Sequence, residues 1–248
     1  PWDKGGAAYM TRHCAMQIGE SAGMLGGGGR ICKRAGVDCT LSSEAYGATS
    51  SGIQVGVSDI AGEILMRVGN AAEKLKVKTV ISPECGHAFY ALRWEGPNLI
   101  GRPYRFEVIQ ILELLDQLRA EGRLSTTGRE ARPLTYHDPC QIARRGGVVE
   151  PPRRLLDLMV DDLRETEDRG KLNWCCGGGG GVSANDRAAD LRLKAFKVKK
   201  RQFEEVDVHT LVTACANCRI TLEEGLEHYN MDVEVVGLTE LLAQHLEE

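Results

Sequence analysis

The chain has 248 residues, 42% of them hydrophobic, enough for one large domain or two of ordinary size with a true core. Its formal net charge of −4 and pI near 5.9 leave no basic footprint, which argues against nucleic acid as a partner. No apolar run approaches the roughly 20 residues of a membrane span and no signal peptide is visible, so a cytoplasmic location is expected; a start at Pro1 rather than Met is expected of a fragment or a processed form.

In chain order, short β-branched runs read as buried strands at 77–82 (VKTVIS), 133–137 (PLTYH), 171–175 (KLNWC), 208–214 (VHTLVTA) and 232–237 (DVEVVG). Helical spacing lies between them. Ile60, Ile64, Leu65, Val68 and Leu75 share one face, as do Val108, Ile111, Leu112, Leu115 and Leu118. Pro151 and Pro152 introduce a helix carrying Leu155, Leu156, Met159, Val160 and Leu163. Ser183 and Asp186 have capping-box spacing ahead of a helix through Ala188, Leu191, Ala195 and Val198. The last two helices carry Leu222, Leu226 and Tyr229, then Leu238, Leu241, Leu242 and Leu246.

Strand alternating with helix predicts an α/β fold of Rossmann-like βαβ units with parallel sheets. The runs VKTVISPEC and VHTLVTACANC each lead a strand into cysteine and then a helix. They predict two related halves divided near the loop 121–133, with residues 1–130 in the first and 131–248 in the second.

Glycine is tested first for phosphate binding. The fingerprint G-x-G-x-x-G fails, because the sixth position counted from Gly177 is Val182 and from Gly178 is Ser183. No G-x-x-x-x-G-K-[ST] occurs, and Gly26–Gly29, followed by Arg30, Ile31 and Cys32, reads as a flexible loop.

Cysteine carries the stronger signal. Of nine cysteines, Cys140, Cys175, Cys176, Cys215 and Cys218 have the spacing C-x34-C-C-x38-C-x2-C, and each group follows an expected strand. The carboxyl ends of parallel strands line one crevice, so the three segments are expected to converge there. A structural zinc takes four ligands and favours C-x2-C knuckles, whereas here that knuckle is single and a fifth thiol is left over. A polynuclear iron–sulfur cluster accepts thiolates at separated points and uses all five, with zinc kept as the alternative. Glycines 177–181, and Gly177, Gly178 and Gly179 in particular, let the backbone approach a large inorganic group and aim N–H groups at its sulfurs. Cys14, Cys32 and Cys39 lack metal spacing and read as ordinary thiols.

In order and spacing, YHDPC, NWCCGGGGGV and CANCRITLEEG resemble the cysteine-rich CCG domain of the HdrB/HdrD family of heterodisulfide reductase components, which also includes iron–sulfur subunits of glycolate and lactate oxidases. With SPECGHAFYALRWEG and YHDPCQIARRGG added, the chain is most similar to the DsrK branch, the cytoplasmic iron–sulfur subunit of a membrane complex linked to dissimilatory sulfite reduction. The resemblance covers most of residues 75–248 and is faint over 1–74. It implies a noncubane [4Fe–4S] cluster held by Cys140, Cys175, Cys176, Cys215 and Cys218, in a C-terminal CCG domain at 131–248. It implies electron transfer between a membrane quinone/cytochrome module and a disulfide or trisulfide on a small sulfur-carrier protein with redox-active cysteines, DsrC-like. The protein would then sit peripherally on the inner face of the membrane through a cytochrome subunit.

The chain departs from the family in two respects. The first half has a degenerate cysteine motif with no CC pair, Ser82 standing where a first cysteine would be, so a second noncubane cluster is not expected. The ferredoxin-like C-x2-C-x2-C-x3-C-P region of DsrK relatives does not occur in this sequence. Cys85 reads by default as a buried thiol and is also a candidate to lie beside the cluster. His87 and His137 flank the same loops and are candidate proton donors to a leaving thiolate, against structural, hydrogen-bonded histidines. The basic run 191–201 reads as a solvated helix face, or as a dock for an acidic partner. Two rival functions remain: a passive electron relay to a glycolate/lactate-type oxidase, and a zinc-stabilised docking scaffold.

Overall fold

The computed structural model describes residues 8–10, 22–45 and 47–246; Cys14 lies outside them. The strands form two parallel sheets. The first contains β1 (Ala8–Met10), β2 (Cys39–Thr40), β3 (Thr79–Ser82) and β4 (Glu107–Gln110) in the order β2-β1-β3-β4. The second contains β5 (Leu134–His137), β6 (Thr210–Thr213) and β7 (Glu234–Gly237) in the order β5-β6-β7. A parallel bridge from Leu134 to Leu163 adds a short segment on the outer side of β5. The second sheet thereby repeats the order of the first: second segment, first, third, fourth. These are the two related Rossmann-like halves.

Helices lie between the parallel strands, which need crossover connections, and one more follows the last strand. They are α1 (Ala22–Arg34), α2 (Ser51–Gln54), α3 (Ser58–Lys74), α4 (Gly86–Tyr90), α5 (Gly96–Ile100), α6 (Ile111–Ala120), α7 (Glu150–Asp157), α8 (Ala189–Val206), α9 (Ala216–His228) and α10 (Leu238–Gln244). Strands β5 and β6 are buried on both faces, the mark of a covered parallel sheet. One apolar core crosses the boundary between halves, with Ile81, Ile111 and Leu112 packed in the same cluster as Tyr136, Leu156, Val212 and Leu238. Helix α1 packs on α10 and α6 on α7, so the halves interlock. The repeat extends further than VKTVISPEC: QILELLDQ and GLTELLAQ begin α6 and α10 alike, with Glu113 and Glu240 each accepting from the backbone N–H three residues before, at Gln110 and Gly237.

Glu84 ties the halves at their centre. It is fully buried; its carboxyl accepts from Thr239 N at 3.0 Å and bonds Thr239 Oγ1 at 2.6 Å, and its carbonyl accepts from Ala216 N. Burial raises its pKa to about 8, against the bonds from Thr239. A carboxyl whose folded pKa lies above its unfolded one contributes full stability below about 4.5 and loses it as pH rises toward 8. Chemical denaturation between pH 4.5 and 8 is therefore expected to show stability falling with pH, and Glu84→Gln, which keeps both contacts, should flatten that dependence. An unchanged slope in the variant would contradict this account of Glu84.

Several sequence expectations fail for local reasons. Residues 171–175 are not a strand: Gly170–Leu172 is a 3-10 turn. The Arg144 guanidinium donates to the carbonyls of Lys171 and Asn173, occupying groups that a strand would give to a neighbour. Gly26–Gly29 is not a loop but lies within α1. A Cβ at Gly27 would come within 2.9 Å of the Thr239 carbonyl carbon, so glycine there permits the close approach of α1 to α10. Helix α8 begins at Ala189 after two 3-10 turns; Ser183 gives its hydroxyl to Asn217 instead of capping, and Asn185 accepts from Arg187 N. Val108 belongs to β4, not to the following helix, and α7 ends at Asp157 before Val160 and Leu163 enter bridges. The basic run is not wholly solvated, since Arg192 and Lys199 are buried.

Candidate metal centre

Three segments meet at the carboxyl ends of β5 and β6. Strand β5 runs into Asp138, Pro139 and Cys140, and β6 into Cys215, the N-cap of α9, which carries Cys218 in its first turn. The loop before α8 brings Cys175 and Cys176 between them. All five cysteines line one small cavity, together with Gly86, His87, Gln141, Gly179 and Asn217.

The thiols form a connected array: Cys140 hydrogen-bonds Cys175, Cys175 bonds Cys176, Cys176 bonds Cys218, and Cys218 bonds Cys215. Protons are unevenly shared along it. Bonds from Cys140 and Cys176 hold Cys175 far below the usual thiol range, aided by the N–H of Gly177 at 3.4 Å. Cys215 is lowered to about 7, by the Cys218 bond first and then by backbone N–H groups of Gly86, Cys218 and Asn217. Cys140, Cys176 and Cys218 are pushed up by donating to these neighbours. Cys175 and Cys215 are therefore the two sulfurs held toward thiolate, the form in which sulfur binds metal.

The glycine run supplies both room and donors. Gly177 has φ +93 and Gly181 φ +79, backbone that L side chains rarely adopt. Gly178 N–H donates to Cys176 and Gly179 lies on the cavity wall. Asn217 pins the loop to α9: its Nδ2 donates to Gly178 O at 3.1 Å while its Oδ1 accepts from Ser183. A Cβ at Gly178 would strike Thr221 Oγ1 and sit 3.0 Å from Asn217 Nδ2. Gly178→Ala is thus expected to cost about 1–3 kcal/mol by overpacking. A thermal melt of that variant should show the loss and Gly178→Ala/Thr221→Ala should recover part of it; an additive double variant would refute the contact.

A buried charge missed in the sequence lies beside the thiols. Lys199 is 2% exposed on α8, and its ammonium donates to Gln202 Oε1 at 2.9 Å, with no ion pair to a carboxylate among the described residues. Burial lowers its pKa to about 8, opposed by Cys176 and Cys218. Its spacing from Arg192, Phe196 and Phe203 places it on the buried stripe of α8, a signal present in the sequence but hidden by the surrounding basic residues. Asn217, the third residue of CANC, was missed because amides carry no metal-ligand signature.

The remaining candidates separate. His87 lies on the cavity wall, and burial lowers its pKa against the pull of Cys175. His137 is fully buried and is not among the residues lining the cavity, although a ring nitrogen lies within 4.8 Å of the Cys176 and Cys218 sulfurs that do line it. Cys85 is likewise outside the wall: its Sγ accepts from Ala88 N, capping α4, and it packs in the apolar core of the first half. Cys32 and Cys39 contact each other, away from the cavity.

A model of the CCG cysteine-rich domain matches residues 134–223, the stretch that holds all five cysteines. The chain is 32% identical over 222 residues to the HdrD component of the dihydromethanophenazine:CoB–CoM heterodisulfide reductase of Methanosarcina acetivorans, covering 88% of this chain and 54% of that protein. It is 27% identical over 220 residues to the Hdr-like menaquinol oxidoreductase iron–sulfur subunit 2 of Archaeoglobus fulgidus, covering 73% of this chain and 39% of that one. The chain thus spans about half the length, or less, of these curated relatives. Among solved structures, a hypothetical protein from Helicobacter pylori superposes with TM-score 0.64 at 9% identity, over 97% of this chain and 49% of that one, a likeness of fold alone.

Proposed function

The chain is a CCG-domain protein related to the HdrD component of heterodisulfide reductase, and from that premise we propose that it is an iron–sulfur electron-transfer subunit of an oxidoreductase. One observation carries this reading: five sulfur donors form a single array on the wall of one cavity. Their chemistry fits a sulfur-ligated iron cluster and exceeds the four ligands of a structural zinc. Lys199, buried without a carboxylate partner among the described residues, would supply positive charge near a negatively charged cluster. When bound, the cluster supplies one-electron transfer.

The finer reading is a noncubane [4Fe–4S] cluster held by Cys140, Cys175, Cys176, Cys215 and Cys218, and a substrate with a disulfide or trisulfide bond. A DsrK-like protein would take that substrate from a small sulfur-carrier protein and exchange electrons with a membrane cytochrome subunit. No helix among the described residues is long and apolar enough to cross a membrane, so attachment would be through such a partner. This chain's own residues would serve the substrate as follows. Cys175, exposed at the mouth, and His87, on the wall beside it, define where a sulfur enters. His87, once protonated, would give its ring proton to the departing thiolate, and the N–H groups of Gly177 and Gly178 would hydrogen-bond the sulfurs of Cys175 and Cys176.

The test uses the chain purified without oxygen, reduced viologen as electron donor and a dithiol carrier's disulfide as acceptor. Thiol release in step with dye oxidation is expected, slowed severalfold by His87→Gln. Dye oxidation without thiol release by iron-loaded protein would overturn the disulfide assignment.

A further inference from the structure

His137 closes β5, is 2% exposed, and neither its Nδ1 nor its Nε2 has a hydrogen-bond partner among the described residues. A neutral imidazole presents one N–H and one lone pair, and burying either unpaired costs about 1–3 kcal/mol. Such orphaned groups are uncommon in folded proteins, and each calls for a partner. Two sulfurs lie close to this ring. A ring nitrogen of His137 and the Sγ atoms of Cys176 and Cys218 all lie within 4.8 Å of one another. Two ligands on one metal, with metal–sulfur near 2.3 Å and metal–nitrogen near 2.1 Å, are separated by roughly 3.5–4 Å, inside that envelope.

The donor type suits the site. Neutral imidazole is the form that binds metals, and iron–sulfur chemistry accepts imidazole in place of thiolate.

We propose that His137 is a sixth protein donor of this site, binding through one ring nitrogen to the metal atom that Cys176 and Cys218 also hold. This rests on the reading that the five cysteines hold an iron–sulfur cluster. In that arrangement the site is completed from three elements: β5 through His137, the glycine loop through Cys176 and α9 through Cys218. The alternative, an imidazole N–H donating to a cluster sulfur, leaves nitrogen off the metal and is an outcome of the test.

The experiment is pulsed EPR on oxygen-free chain grown on 15N with natural-abundance histidine, so that 14N signals arise from histidine alone. A strong 14N coupling of directly bound nitrogen is expected in the paramagnetic cluster, kept in His87→Gln and lost in His137→Ala. Only weak couplings, or a strong coupling that survives His137→Ala, would overturn the proposal. If His137→Ala fails to fold, the His87→Gln spectrum decides: a strong coupling there supports ligation by His137, and a weak one refutes it. A chain without any iron–sulfur signal would instead refute the five-cysteine reading, a failure distinct from this one.

Discussion

Cys176→Ser should empty the site. Iron and acid-labile sulfide are expected to fall from about four each per chain by about tenfold or more, with far-ultraviolet circular dichroism unchanged. Cys176 is the middle of the thiol array, bonded to Cys175 on one side and Cys218 on the other. A hydroxyl there binds metal far more weakly than a thiolate, because its proton is held much more tightly. Cys85→Ser provides the contrast. That thiol caps α4 from within the apolar core, and serine is a preferred N-cap, so iron content should be retained. Full loading in Cys176→Ser, or loss in Cys85→Ser, would invert the assignment of ligand and core thiol.

Asp138→Ala should be the most destabilising change outside the sulfurs. The carboxylate is 1% exposed and accepts bidentately from Arg153, at 2.9 and 2.8 Å, and from Gly170 N at 2.7 Å. Its backbone carbonyl accepts from Asn173 Nδ2. Removing one partner of a buried pair costs about 3–5 kcal/mol. Glu165 also bonds Arg153 and keeps part of its charge compensated, which places the expected loss near the lower end, about 3 kcal/mol. Asp138 fastens the turn before Cys140 to the loop before Cys175, so the variant should also release iron faster to a chelator. Urea denaturation measures the first effect and chelator kinetics the second. A loss under about 1 kcal/mol would mean the network contributes little.

How far the sequence carried depends on which physical force governed each segment. Convergence of Cys140 with Cys215 and Cys218 was readable because β5 and β6 are short, β-branched and buried on both faces, and parallel strands end together. The run KLNWC misled because groups remote in sequence, the Arg144 guanidinium and the Asp138 backbone carbonyl, take over its backbone and side-chain bonds. Glycines 26–29 misled because helix α1 is held by packing on α10, which no local propensity records. Lys199 was hidden by charge: among basic neighbours a buried lysine looks solvated until its helical phase is followed. His137 was read as a proton donor or a structural ring, and its closeness to the Cys176 and Cys218 sulfurs follows from packing and from no motif.

The central claim is that five cysteines hold one iron–sulfur cluster. Iron and acid-labile sulfide, measured with EPR on chain purified without oxygen, test it most directly. The account predicts about four irons and as many sulfides per chain, with a paramagnetic signal that changes on adding a thiol. Zinc at one per chain, with no sulfide and no signal, would contradict it.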